Sequence, residues 1–162
     1  MLMMGSLGAS AETIDRVLAV VAGQIITLSD VTAARDLGLQ TAANAAADPV
    51  RAVLSKLIDR ELVLSEVDRY APPEPPGDAI DREIDAIRAR FPSPDAFAHT
   101  LVRSGLDDKR LREIVRQDLR IRGYELQRFA SADAVRRQTL IDEWVAGLRR
   151  RADITDLYLA TK

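Results

Sequence analysis

Few side chains in this sequence are spaced to make or break bonds. The one histidine, His99, has no second imidazole to share a proton with, and cysteine is absent. That absence removes thiol nucleophiles and cysteine-based zinc sites together. No Gly-x-Ser-x-Gly, Gly-x-Gly-x-x-Gly or phosphate-loop pattern occurs, so the common strand-to-helix turns that seat a nucleophile or a phosphate are missing. Asp107-Asp108 would need further ligands at suitable spacing to hold a cation, and reads more simply as a helix cap with a first-turn charge. Arg116, Arg120, Arg122 and Arg128 form a basic row, but Glu113, Asp118 and Glu125 are interleaved with it. The pattern is a mixed solvated face rather than a nucleic-acid surface. The sequence therefore points to no catalytic residue, no metal and no cofactor.

The remaining chemistry is binding and packing. Glu61 shares a helical face with Leu54, Leu57 and Ile58, where an unpaired charge would be costly. It is expected to pair with an arginine from another helix and to position helices. Tyr70, Phe91, Phe97, Tyr124 and Phe129 fall near predicted helix ends and junctions, with Leu101 on the same short helix as Phe97. These either fill the core or line a groove. Trp144 sits in the apolar face of the last helix and reads as structural.

The elements that must position these residues start at Val17–Val31. Val17–Val21 and Ile25-Ile26 flank Ala22-Gly23-Gln24, which predicts a β-hairpin, and Thr27 with Asp30 predicts a helix start. A lone hairpin is marginal in water and needs a cover. The first helix is expected to end near Gly38, and Gln40–Ala47 to be a loop or frayed helix. Asp48-Pro49 opens a second helix to about Tyr70, apolar on more than one side and so central. Pro72-Pro73-Glu74-Pro75-Pro76-Gly77 is a stiff connector, since four prolines cannot continue a helix; a polyproline ligand has little support from so short a segment. Asp78 is expected to cap a third helix ending around Phe91. Ser93-Pro94 opens a fourth, with Phe97, Leu101 and Val102 inside and Gly105 as its stop. Asp107 caps a fifth, carrying Leu111, Ile114, Val115, Leu119 and Leu126 to about Phe129, and Ser131 starts a sixth with Leu140, Ile141, Trp144, Val145 and Leu148 inward. Ile154–Leu159 is the other strand candidate and the natural cover for the hairpin. The expected fold is mainly α, with about six helices and a small antiparallel sheet formed by the N-terminal hairpin and a C-terminal strand.

A chain of 162 residues with net charge -2 fits one domain, long enough to bury a core without a staple. Its charge implies neither nucleic acid nor an anionic membrane. Residues 1–11 are uncharged and end in the small-x-small triplet Ala9-Ser10-Ala11. They are either the remnant of a secretory signal peptide whose start lies upstream or a floppy N-terminus. No segment reaches the roughly 20 apolar residues of a spanning helix, so membrane insertion is not expected.

In combination these features resemble the N-terminal chaperone module of the SurA-type periplasmic chaperones. The matching stretches are Ile14–Asp30, with its hairpin and Ser29-Asp30 helix start; Leu57-Ile-Asp-Arg-Glu-Leu-Val-Leu64 on the second helix; Ile80–Arg122, with its Phe-containing segment and Gly105-Leu106; and Trp144–Tyr158, similar to the family's returning helix and strand. The resemblance makes 12–162 a single SurA-like domain. Relatives of this type insert parvulin-like prolyl isomerase domains between the last two helices, whereas here Phe129-Ala130-Ser131 joins them directly. Parvulin chemistry also relies on a histidine pair, so isomerase activity is not expected.

The resemblance implies a periplasmic, ATP-independent holdase whose partners are unfolded or extended polypeptides such as outer-membrane protein precursors. It makes Tyr70, Phe91, Phe97, Leu101, Tyr124 and Phe129 candidate client-binding residues. Three other readings remain: a prolyl isomerase by family label, an assembly or scaffold protein with one fixed partner, and a helical nucleic-acid binder.

Overall fold

Two consecutive residues with positive φ reverse the chain near its start. A computed structural model describes residues 15–40 and 47–158; the expectations for 1–11, for most of Gln40–Ala47 and for Leu159 fall outside these residues. β1 (Val17–Val21) and β2 (Gln24–Thr27) are joined through Ala22 (φ 49°) and Gly23 (φ 82°). That backbone matches the twist of the flanking strands. Glycine adopts it freely, whereas Ala22 does so at a cost of about 1 kcal/mol.

The cover for the hairpin comes from the far end of the chain. β3 (Ile154–Asp156) pairs antiparallel with β1, giving the order β2-β1-β3 with Val21 opposite Ile154. The strand stops three residues short of the predicted Leu159. Beyond it, the Leu157 amide still donates to the Leu18 carbonyl (2.9 Å), while the Tyr158 hydroxyl donates to the Asp48 carboxylate (2.8 Å). The phenol is spent on a helix cap and the ladder ends.

Thr27 caps α1 (Leu28–Asp36) through a reciprocal box: its hydroxyl accepts from the Asp30 amide, and Asp30 accepts from the Thr27 amide (2.9 Å). Asp48 caps α2 (Pro49–Tyr70), accepting from the Arg51 amide (2.9 Å). Val53, Leu54, Ile58, Leu62, Val63, Leu64 and Val67 of α2 are all buried. This helix is the centre of the molecule, as its wide apolar surface predicts.

The later helices are α3 (Gly77–Arg88), α4 (Pro94–Arg103), α5 (Asp108–Arg128) and α6 (Ala134–Arg151). Ser93 and Asp107 cap α4 and α5 as expected. Asp78 does not cap α3: Pro76 precedes the helix and offers no side-chain bond. The helix starts two residues earlier than a cap at Asp78 would place it, and Asp78 instead pairs with Arg82 (2.6 Å) along the helix. The end of α3 also comes before Phe91, because Arg90 and Phe91 make tighter i to i−3 bonds to Ile87 and Arg88 (both 3.1 Å). The cap of α6 is Asp133 rather than Ser131, accepting from the Arg136 amide (2.9 Å). Ser131 lies within a turn closed by the Ala132 amide on the Phe129 carbonyl (3.1 Å). Val102, expected inside, is exposed. One step past Leu101 turns a side chain by about 100°, which carries Val102 out of the buried stripe.

Among the described residues the result is a mainly α fold with a three-stranded antiparallel sheet and two buried clusters. The first packs the sheet on α1 and α2 and adds Tyr124 and Leu148. The second gathers Leu37 with Ile80, Ile87, Phe97, Leu101, Leu111 and Val115. Among the described residues, no helix is long and apolar enough to cross a membrane.

Candidate functional site

A partly enclosed depression lies beside the hairpin. It is a cavity of about 370 Å³ between β2, α1, α2 and α5. Ile25, Leu57, Leu64, Leu106 and Ile114 supply its apolar lining. Ile25 is 60% exposed at its edge. Strand order explains that exposure: Val20 pairs with Ile25, while Ala19 and Val21 pair with Ile26 and Gln24. Neighbouring residues point to opposite faces, so burying Ile26 on the core sends Ile25 outward. Around this two-residue turn, Gln24 and Ile26 exchange backbone bonds with β1, and the alternation aims the Ile25 N–H and C=O away from it. Because β2 is an edge strand, these groups face the open side of the sheet.

The polar floor of the cavity is cross-linked. Arg60 of α2 donates to Asp118 (2.7 Å), Glu61 (2.9 Å) and Gln117 (3.0 Å), and reaches the Ile114 carbonyl (3.4 Å). Glu61 thus does find an arginine, but its own neighbour on α2 and not one from another helix. The link between helices is Arg60 to Asp118, and Glu61 braces it from behind. Asp68 accepts from Arg120 of α5 (2.7 Å), and Asp30 is held in the α1 cap. Arg60 and Asp118 also line a second, more open cavity of about 640 Å³ between α2, α5 and α6.

Arg120 departs from the expected solvated row. It is 9% exposed, with its Nε 3.2 Å from the Glu74 carboxylate. That approach is close enough for ion pairing, though its angle makes no hydrogen bond. Glu74 also pairs with Arg116, so the proline-rich connector is tied down on α5 through its one acid. Glu113 and Glu83 are held below the ordinary glutamate range by hydrogen bonds from Arg116 and Arg122. Glu125 moves the other way, pushed up by burial.

The aromatic candidates separate into two groups, and none lines the 370 Å³ cavity. Phe91 and Phe97 meet edge to face (5.4 Å) in the second cluster with Leu101. Phe97 and Leu101 are buried there. Tyr70 ends α2, 58% exposed, with its ring 5.5 Å from buried Tyr124. Trp144 joins the two halves of this second group, 5.9 Å from Tyr124 and 6.0 Å from Phe129. His99 is exposed on α4. Asp107 is a cap, accepting from the Arg110 amide (2.6 Å). Among the described residues, no cluster of three or more His, Asp or Glu is placed to hold a metal.

Ile25, Leu64, Leu106 and Ile114 are not among the candidate site residues of the sequence analysis. One signal for them was present: Ile25-Ile26 is an unbroken apolar pair in a strand that can bury only one face. Comparison with known protein families and with curated proteins finds no match to this chain.

Proposed function

We propose that this protein is an ATP-independent holdase chaperone that binds unfolded or extended polypeptides along the cavity beside β2. The resemblance to the SurA-type module supplies the class of client, outer-membrane protein precursors, and the periplasmic setting. The observation that carries the reading is the edge strand itself. A largely exposed Ile25 and an outward-facing backbone pair stand next to a cavity of mixed apolar and polar lining whose acids are already engaged by arginines or a helix cap. An extended segment can meet such an edge through main-chain hydrogen bonds while its alternate side chains enter the cavity. Binding the unfolded chain in this way restrains its aggregation.

The test is light scattering of an unfolded outer-membrane protein diluted from urea with and without this protein. The parent should suppress aggregation. Ile25→Glu should lose most of that suppression, and Val102→Glu, at an exposed position outside the cavity, should keep it. No suppression by the parent overturns the proposal.

A further inference from the structure

A cluster of three aromatic rings at the junction of α5 and α6 already holds a cation of the chain itself. The guanidinium of Arg128 lies over three rings: Trp144 (5.1 Å), Phe129 (5.6 Å) and Tyr124 (6.0 Å). Helical spacing puts Arg128 four residues after Tyr124, on the same face, and one of its nitrogens donates to the Tyr124 hydroxyl (3.1 Å). Among the described residues no carboxylate pairs with Arg128, whereas Arg60, Arg116, Arg120, Arg122 and Arg149 all have one. Arg128 is also exposed. Ring faces and one hydrogen bond to a neutral hydroxyl hold an exposed cation less firmly than a carboxylate does, so another cation can compete for this place.

The walls are fixed more firmly than the occupant. Tyr124 is buried. Arg137 of α6 donates to the Ala132 carbonyl (2.8 Å) and to that of Phe129 (3.4 Å), which locks the turn carrying the Phe129 ring. Firm walls around a removable plug make a pre-organised site, because a replacement cation need not order the rings again.

We propose that Tyr124, Phe129 and Trp144 form an aromatic box for an organic cation, that Arg128 is its internal plug, and that the ligand is an arginine or lysine side chain of a bound polypeptide. The last clause rests on the chaperone reading; the box and its plug do not. A basic client residue exchanges with Arg128 one cation for another, so the rings stay covered in both states. The box lines neither of the two cavities described above.

Trp144 is the chain's one tryptophan, so its emission reports on the box directly. The parent is titrated with the blocked peptide Ala-Ala-Arg-Ala-Ala, with Ala-Ala-Leu-Ala-Ala, and with choline chloride. The arginine peptide should shift the emission saturably and the leucine peptide should not. Arg128→Gln, with the competitor gone, should bind the arginine peptide about threefold more tightly, and Phe129→Leu should bind it more weakly. Equal responses to the two peptides, or an affinity that Arg128→Gln leaves unchanged, overturn the box. Saturation by choline alone overturns the polypeptide source of the cation. Aggregation suppression by the parent is read separately: suppression without cation selectivity removes the box only, and cation selectivity without suppression removes the chaperone reading and leaves the box.

Discussion

The two buried clusters are assembled from different distances along the chain. The cluster beneath α3 and α4 draws six of its seven buried members from the stretch between Ile80 and Val115, with Leu37 added from the end of α1. The cluster beneath the sheet needs both ends of the chain at once, because Leu18 and Val21 come from β1, Val53 and Leu54 from α2 and Leu148 from α6. Closing a long loop costs entropy before its contacts return anything. The α3–α4 cluster can therefore form early, and the sheet cluster completes the fold. α5 couples them, with Leu111 and Val115 in one and Tyr124 in the other.

The largest expected effect comes from ending the chain after Arg151. This removes β3 and the Tyr158 bond to Asp48 and strips Ile154 from the sheet cluster, a loss of about 3–5 kcal/mol. Hydrogen exchange should show amide protection falling around Val21 and Leu54 while it persists around Leu101 and Leu111. Equal loss in both places would make the two clusters one cooperative unit. Next come Leu54→Ala and Leu111→Ala, both at fully buried positions and each expected to cost about 3 kcal/mol in urea unfolding. The kinetics should separate them: Leu111→Ala should slow folding, and Leu54→Ala should mainly speed unfolding. The reverse pattern would invert the order of assembly.

The smallest effect is electrostatic and has opposite signs on different acids. Glu83 and Glu113 are depressed below the ordinary value of 4.5 by their arginines. Their stabilisation is present above pH 4.5 and is lost as pH falls through the lowered values. Glu125, raised by burial, favours the fold when protonated, below pH 4.5, and loses that benefit as pH rises through its raised value. Glu125→Gln should therefore raise Tm by about 1–2 °C at pH 7, with the gain vanishing below pH 4.5. A gain that is the same at both pH values would assign the effect to packing.

Local signals made most of the architecture readable. The hairpin, the caps Thr27, Asp48, Ser93 and Asp107, the long central helix and the returning strand all depend on residues within four positions of one another or on a strong apolar period. Asp78 and Ser131 were misplaced because several residues near each helix start can accept a backbone bond, and the turn preceding the helix decides between them. Val102 was misplaced because an apolar side chain one step off the stripe looks the same in sequence as one on it. The candidate site was less legible. Glu61 was singled out, but its partner is the adjacent Arg60. The burial of Arg120 depends on Asp68 and Glu74, acids from α2 and the connector that become its neighbours only after the helices pack.

The sheet has a mechanical consequence. β1 begins, and β3 ends, at the same edge of their shared ladder, since the pairs run from Val21 opposite Ile154 to Ala19 opposite Asp156. Force applied to the two ends of the chain therefore loads these bonds one after another, like a zipper, and never all together in shear. Pulled by its ends in an optical trap, the molecule should release β3 in a separate low-force step before the helices yield. A single high-force rupture would show that the strand is held by its packing on α2 rather than by its ladder.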